Sequence, residues 1–173
     1  MQALLNQSLR LSTVKTTAVW LTLAILCPIV VHLIPPHNGI PIGAFLLPMF
    51  YIPLIVLWTS TWRIALTVSV LAPLLNFLLT GSPQPGIMYI LTLEVILFAI
   101  IALFLISSPL KWAAGPLSYL GAKIFSSALL VIYPILPIAP FDFFVNSLQN
   151  GALGILILLI INLLLVRFFP RNT

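Results

Sequence analysis

The chain has 173 residues, of which 62% are hydrophobic and only 5% charged, and its mean hydropathy is +1.25. A soluble domain needs about a quarter of its residues charged, so this composition excludes a soluble globular protein and indicates an all-α integral membrane protein forming one domain, residues 1–173. The net charge of +5 comes from widely spaced basic residues. No basic cluster is interleaved with aromatic residues, so nucleic acid is not an expected partner.

Six apolar segments, each near the length that crosses a bilayer, follow one another along the chain. The breaks between them contain the Pro, Gly and Ser residues that end helices or turn the chain. They read "PPHNGIP", "TSTW", "GSPQPG", "SSPLKWAAGP" and "PIAPFDFF". The predicted transmembrane helices are residues 16–34, 42–58, 62–80, 87–107, 117–136 and 147–168.

Two of these segments have special features. The first is too long for the core of a cleaved signal peptide and lacks a small-x-small cleavage site, so we expect it to be retained. The stretch before it, residues 1–15, is expected to lie along the interface as a short amphipathic segment. The second segment is short and contains Pro48 and Pro53, so we expect it to be kinked, tilted or partly re-entrant.

The basic residues predict the orientation of this six-helix path. The three loops on one side contain no Lys or Arg. Six of the seven basic residues fall on the other side, namely Arg10, Lys15, Arg63, Lys111, Arg167 and Arg171. Such a bias marks the cytoplasmic side, so both termini are expected in the cytoplasm. The protein is expected to be a multi-pass protein of the plasma membrane, in contact with the lipid bilayer. The seventh, Lys123, is expected to be an anchor whose ammonium reaches the cytoplasmic surface, with a role in coupling as the alternative.

Polar residues gather in the outer half of this arrangement and predict an outward-facing pocket for a small molecule. The candidate substrate-binding residues are Glu94, Asn76, Thr80, His37, Asn38, Asp142, Asn146 and Gln149. Glu94 lies within a predicted membrane helix, where an ionisable side chain is costly and faces the protein interior or water. Its structural alternative is a hydrogen bond to Asn76 or Thr80. Asp142 lies in the last predicted outer loop, where solvation or helix capping is an alternative to ligand contact.

The sequence lacks several motifs that are typical of enzyme active sites and nucleotide-binding sites. The chain has no G-x-S-x-G, no H-E-x-x-H and no P-loop pattern, so we expect no catalytic residues, no cofactor and no ATP-driven step within it. His32 and His37, in "HLIPPH", have no Cys or carboxylate near them in the sequence and are expected at the membrane interface rather than in a metal site. The acidic pocket suggests a cationic or hydrogen-bond-donating ligand.

Three stretches together resemble the membrane-embedded substrate-binding subunits, or S-components, of energy-coupling factor (ECF) transporters. They are "GIPIGAFLLPMFYIP", then "LAPLLNFLLTGSPQPG", and then a helix that carries Glu94. The resemblance implies capture of a vitamin-like micronutrient at the outer face, with Glu94, Asn146 and Gln149 holding the ligand and residues 36–41 covering it. It also implies partners, namely a transmembrane coupling subunit and two cytoplasmic ATPases, and toppling of the subunit in the membrane to release the ligand inward.

The chain departs from that family at two places. Many S-components carry Ala-x-x-x-Ala on the first helix, where this chain has Ala18-x-x-x-Thr22, and the junction after the second helix reads "WTSTWR" rather than containing Gly-Pro. Two alternative functions also stay open. One is a structural membrane protein of the rod-shape cell-wall machinery, and the other is a small carrier that uses Glu94 as a proton relay.

Overall fold

The computed structural model describes residues 2–37 and 39–169, with side chains from residue 12 onward. The all-α prediction is confirmed for these residues, which contain seven α-helices and no strand. The helices are α1 (Gln2–His32), α2 (Ile42–Leu46), α3 (Tyr51–Thr59), α4 (Trp62–Thr80), α5 (Pro85–Leu105), α6 (Ala114–Ile132) and α7 (Pro140–Phe168). Two 3₁₀ turns, Pro48–Phe50 and Pro109–Ala113, precede α3 and α6.

Within residues 2–37 and 39–169, five segments are long and apolar enough to cross a membrane. They are Ser12–His32, Trp62–Thr80, Pro85–Leu105, Pro109–Ile132 and Pro140–Phe168. Large apolar side chains such as Leu78, Phe104 and Phe141 are exposed on the outside of the bundle. A soluble protein avoids a continuous apolar surface of this kind, and lipid tails can cover it. The chain therefore has the architecture of a multi-pass membrane protein.

Proline and glycine set several helix ends. Pro85 and Pro140 occupy the first turn of α5 and α7, where a missing N–H costs nothing because that group has no partner within the helix. Gly81 ends α4 with φ +69°, a left-handed conformation that is easily reached only without a Cβ. The helix α6 stops at Ile132 because Tyr133 precedes Pro134, where the α conformation is disfavoured, and has φ −125° and ψ 88°.

The second predicted helix is divided in two. Leu47 has φ 56° and separates α2 from the 3₁₀ turn that begins at Pro48, because a residue before proline is disfavoured in the α conformation. The break packs against α7, where Gly154 leaves room for it. A Cβ on Gly154 would lie 2.5 Å from Leu47 Cγ, so no larger residue fits there without movement.

Several sequence-based boundaries are wrong. Residues 1–15 were predicted to form a separate interfacial segment, but residues 2–15 belong to α1, which runs unbroken from Gln2 to His32. The last helix begins at Pro140 rather than at residue 147, since a proline in the first turn favours a helix start. Asp142 therefore lies in the first turn of α7, not in a loop.

The core lies where α3, α4, α5, α6 and α7 meet. Its fully buried residues include Leu54, Val68, Phe98 and Leu158, each 0% exposed. Small residues such as Ala99, also 0% exposed, let neighbouring helices approach closely, as is typical of membrane bundles. The loops after α1, α4 and α6 reach one end of this bundle, where residues from all three surround a common cavity.

Candidate functional site

A cavity of about 330 Å³ lies at the end of the bundle where α1, α4 and α6 finish. Most of its wall is apolar and comes from the broken second segment, α5 and α7, with Leu47, Met49, Phe50, Ile90, Leu91 and Phe143 as examples. Its polar lining residues include Glu94 of α5, Lys123 of α6 and Asn76 of α4. Apolar walls with a few convergent polar groups are the usual composition of a small-molecule site.

The polar floor of the cavity is a buried ion pair. Lys123 Nζ lies 2.8 Å from Glu94 Oε1 and 2.8 Å from Glu94 Oε2. Ser126 Oγ, one turn further along α6, donates a second hydrogen bond to Glu94 Oε1 at 2.7 Å. The side chains of Lys123 and Glu94 are 9% and 2% exposed. Burying either charge alone is very costly, and pairing plus hydrogen bonding offsets that cost.

Helix geometry brings the two charges to the same depth. Glu94 lies nine positions after Pro85, the start of α5, and Lys123 lies nine positions before Ile132, the end of α6. The two helices are antiparallel neighbours. At 1.5 Å per residue, both residues therefore lie about 13 Å from the end of the bundle that contains the cavity. This placement makes the snorkelling prediction for Lys123 wrong. A carboxylate at the same depth holds the ammonium inside the bundle instead.

Aromatic side chains enclose the ammonium of Lys123. Its Nζ lies 4.7 Å from the centre of the Phe143 ring and 5.7 Å from that of Tyr119, within the range of cation–π attraction. Tyr119 is fixed by a 3.3 Å hydrogen bond from its hydroxyl to the Ser147 carbonyl and by an edge contact with Phe50, with ring centres 5.2 Å apart. The floor is therefore held by residues from α6, α7 and the 3₁₀ turn before α3.

The alternative role predicted for Glu94, a hydrogen bond to Asn76 or Thr80, is also wrong, since its partners are Lys123 and Ser126. Asn76 lines the cavity and is 0% exposed, yet neither its amide nitrogen nor its amide oxygen has a hydrogen-bond partner among the described residues. Thr80 donates to the Asn76 backbone carbonyl at 2.8 Å and does not line the cavity.

The structure brings together three of the eight residues predicted to bind substrate. Glu94, Asn76 and Asn146 line the cavity. Four others lie outside its lining: Thr80, His37, Asp142 and Gln149. His37 contacts the ring of Phe45, with ring centres 6.4 Å apart. Asn38 lies outside the described residues.

Several lining residues were missed by reasoning from the sequence alone. Lys123, Tyr119, His32, Ser147 and Asn150 belong to the cavity. A signal for Asn150 existed, because Asn146 and Asn150 are four apart and share a helix face. Lys123 could have been found by comparing its depth with that of Glu94, provided that the helix ends were known. No group of three or more His, Cys, Asp or Glu side chains that could hold a metal occurs in the described part of the chain.

Comparison of the chain with protein-family models, curated proteins and solved structures finds no significant match. The functional interpretation therefore depends on the residues and geometry described above.

Proposed function

We propose that the chain is a substrate-binding subunit of an ECF-type transporter, which captures a small vitamin-like micronutrient outside the cell and delivers it inward. The observation that carries this proposal is the cavity, with its volume of about 330 Å³ and its buried polar floor. Pockets for small organic ligands have volumes from roughly 300 Å³ upward and similar linings. A scaffolding subunit has no need of such a cavity, so solute capture is the function that it favours.

The distribution of basic residues supports an outward-facing cavity. Lys15 lies near the start of the candidate span Ser12–His32. Arg63 and Lys111 lie at or just before the starts of α4 and α6, and Arg167 lies at the end of α7. The cavity lies at the other end of these segments. Positive charge favours the cytoplasmic side of a membrane. We therefore assign the cavity to the outer face of the plasma membrane and both termini to the cytoplasm.

The path of the chain supports six crossings rather than five. The end of α4 lies beside the cavity, so its start at Trp62 lies about 28 Å away, given 19 residues at 1.5 Å each. The broken segment lines the cavity from Pro41 to Phe50, and the chain then runs through α3 to Trp62. The broken segment made of α2, the 3₁₀ turn and α3 is therefore proposed to be the second crossing, with its irregular backbone covered by α7.

The energy for delivery has to come from other subunits in this proposal. The sequence contains no P-loop pattern, and the function that we propose includes no enzymatic step within this chain. A transmembrane coupling subunit and two cytoplasmic ATPases are the expected partners.

Reconstitution in liposomes tests the proposal. A screen of vitamins and cofactors for an increased unfolding temperature first supplies a ligand, which is then radiolabelled. The chain alone should bind this ligand without concentrating it, and concentrative uptake should require co-reconstituted coupling subunit, ATPases and internal ATP. Concentrative uptake by the chain alone, abolished by a proton uncoupler, would instead establish the carrier alternative.

A further inference from the structure

The amide of Asn76 is the unusual group of this site. Its nitrogen and oxygen are both buried and have no hydrogen-bond partner within the part of the chain that the structure describes, although buried polar groups in folded proteins are nearly always hydrogen-bonded. Asn76 is one of the residues that line the cavity. An amide presents two N–H donors and one carbonyl acceptor side by side, so a ligand that satisfies it offers an acceptor and a donor with the same spacing.

The charge of the site is already balanced. Glu94 receives both the Lys123 ammonium and the Ser126 hydroxyl, and Asp142, the other acidic residue of the chain, is not part of the lining. A cationic ligand would have to displace Lys123 from Glu94, and an anionic ligand would have to compete with Glu94 for Lys123. An uncharged ligand leaves the pair intact and adds no charge to apolar walls. The cationic ligand expected from the sequence is therefore not favoured.

From these two observations we infer that the occupant is an uncharged ring compound with an amide-type edge, such as a lactam or cyclic imide, and that Asn76 pairs with that edge. The inference rests on the proposed capture function and gives it a substrate class. Phe50, Tyr119 and Phe143 supply aromatic wall surface for the ring. Because Asn76 is 0% exposed, the ligand reaches the amide by moving a covering wall side chain.

Paired probes test this directly. Quinazoline-2,4-dione carries adjacent N–H and C=O groups, whereas its 1,3-dimethyl derivative keeps the ring and carbonyls but has no N–H. Purified protein in detergent should be stabilised against thermal unfolding by the dione, and should bind the dimethyl compound about tenfold or more weakly. Benzamidinium and benzoate, which are flat but charged, should not raise the unfolding temperature.

Two variants link the selectivity to Asn76. Asn76→Leu removes both polar atoms and roughly keeps the branched shape, while Asn76→Ala avoids overfilling the site if Leu is too large. Both variants should lose the preference for the dione over its dimethyl derivative. Thr67→Val on the exposed side of the same helix, where the hydroxyl donates to the Arg63 carbonyl at 2.9 Å, should keep the wild-type selectivity.

Several outcomes would overturn the inference. They are the absence of stabilisation of wild-type protein by the dione, equal affinity of wild-type protein for the two probes, stronger binding of benzamidinium, or unchanged selectivity in both Asn76 variants. The liposome assay keeps this question apart from the proposed function. Partner-driven uptake of a solute that has no amide edge would refute the ligand class only, whereas uptake by the chain alone of an amide-edged solute would refute the transporter subunit only.

Discussion

Breaking the ion pair between Glu94 and Lys123 should destabilise the protein strongly, and removing both charges should not. In Lys123→Met, the Glu94 carboxylate stays 2% exposed with only the Ser126 hydroxyl to bond it. In Glu94→Met, the ammonium keeps only aromatic neighbours. Leaving one buried charge without its partner costs about 3–5 kcal/mol, while replacing both partners by apolar residues of similar volume is often neutral or stabilising.

Thermal unfolding followed by tryptophan fluorescence measures the effect, since the chain contains four Trp residues. For a chain of this size, 1 kcal/mol corresponds to about 2–4 °C, so each single variant should unfold about 6–20 °C below wild type. The double variant Glu94→Met/Lys123→Met should lie within about 4 °C of wild type. The control is Lys15→Met, which makes the same change at an exposed position of α1 and should have little effect.

The double variant tests whether the charges of Glu94 and Lys123 depend on each other. Costs that add in the double variant would mean that the two side chains act independently. Single-variant losses below about 2 °C would mean that neither charge is held inside the bundle. Either result would remove the ion pair from the floor of the cavity and, with it, the argument for an uncharged ligand.

Two further predictions concern the broken segment and the orientation. Gly154→Ala should lower stability by about 1–3 kcal/mol, because its Cβ would lie 2.5 Å from Leu47 Cγ. The control is Gly121→Ala, where a new Cβ meets the flexible end of an isoleucine. This control should lower stability less in the same unfolding assay. A cysteine at Ser82 should react with a membrane-impermeant thiol reagent on intact cells and one at Lys111 should not, and the reverse pattern would contradict the outward-facing cavity.

The sequence carried much of the fold because the relevant signals are local. Hydropathy over about 20 residues identifies a candidate membrane span regardless of its neighbours, and proline disfavours the α conformation at the residue before it. An irregularity in the second segment and the end of the third predicted helix at residue 80 were both visible in the sequence, although the position of the break, at Leu47, was not. The N-terminal helix was placed less well, since a moderately polar stretch can continue a helix or leave it with little change in local preference.

The cavity floor depended on distances between helices, which local signals do not encode. With the predicted ends at residues 87 and 136, Glu94 and Lys123 lay seven and thirteen positions from the outer side, a difference of about 9 Å at 1.5 Å per residue. The helices α5 and α6 in fact begin and end so that each charge is nine positions deep. Boundary shifts of a few residues were enough to hide the pair and to leave Lys123 as an apparent surface anchor.

The sequence by itself therefore determined the membrane class, the main helices and the presence of a carboxylate within a span, because composition and proline placement act on each segment separately. Only the tertiary structure decided the partner of that carboxylate, the unpaired state of the Asn76 amide and the exclusion of Thr80, Asp142 and Gln149 from the cavity lining. The physical reason is that side-chain pairing in a bundle depends on the relative height and rotation of two helices. Those quantities are set by packing across the whole core, of which the close contact between Leu47 and Gly154 is an example.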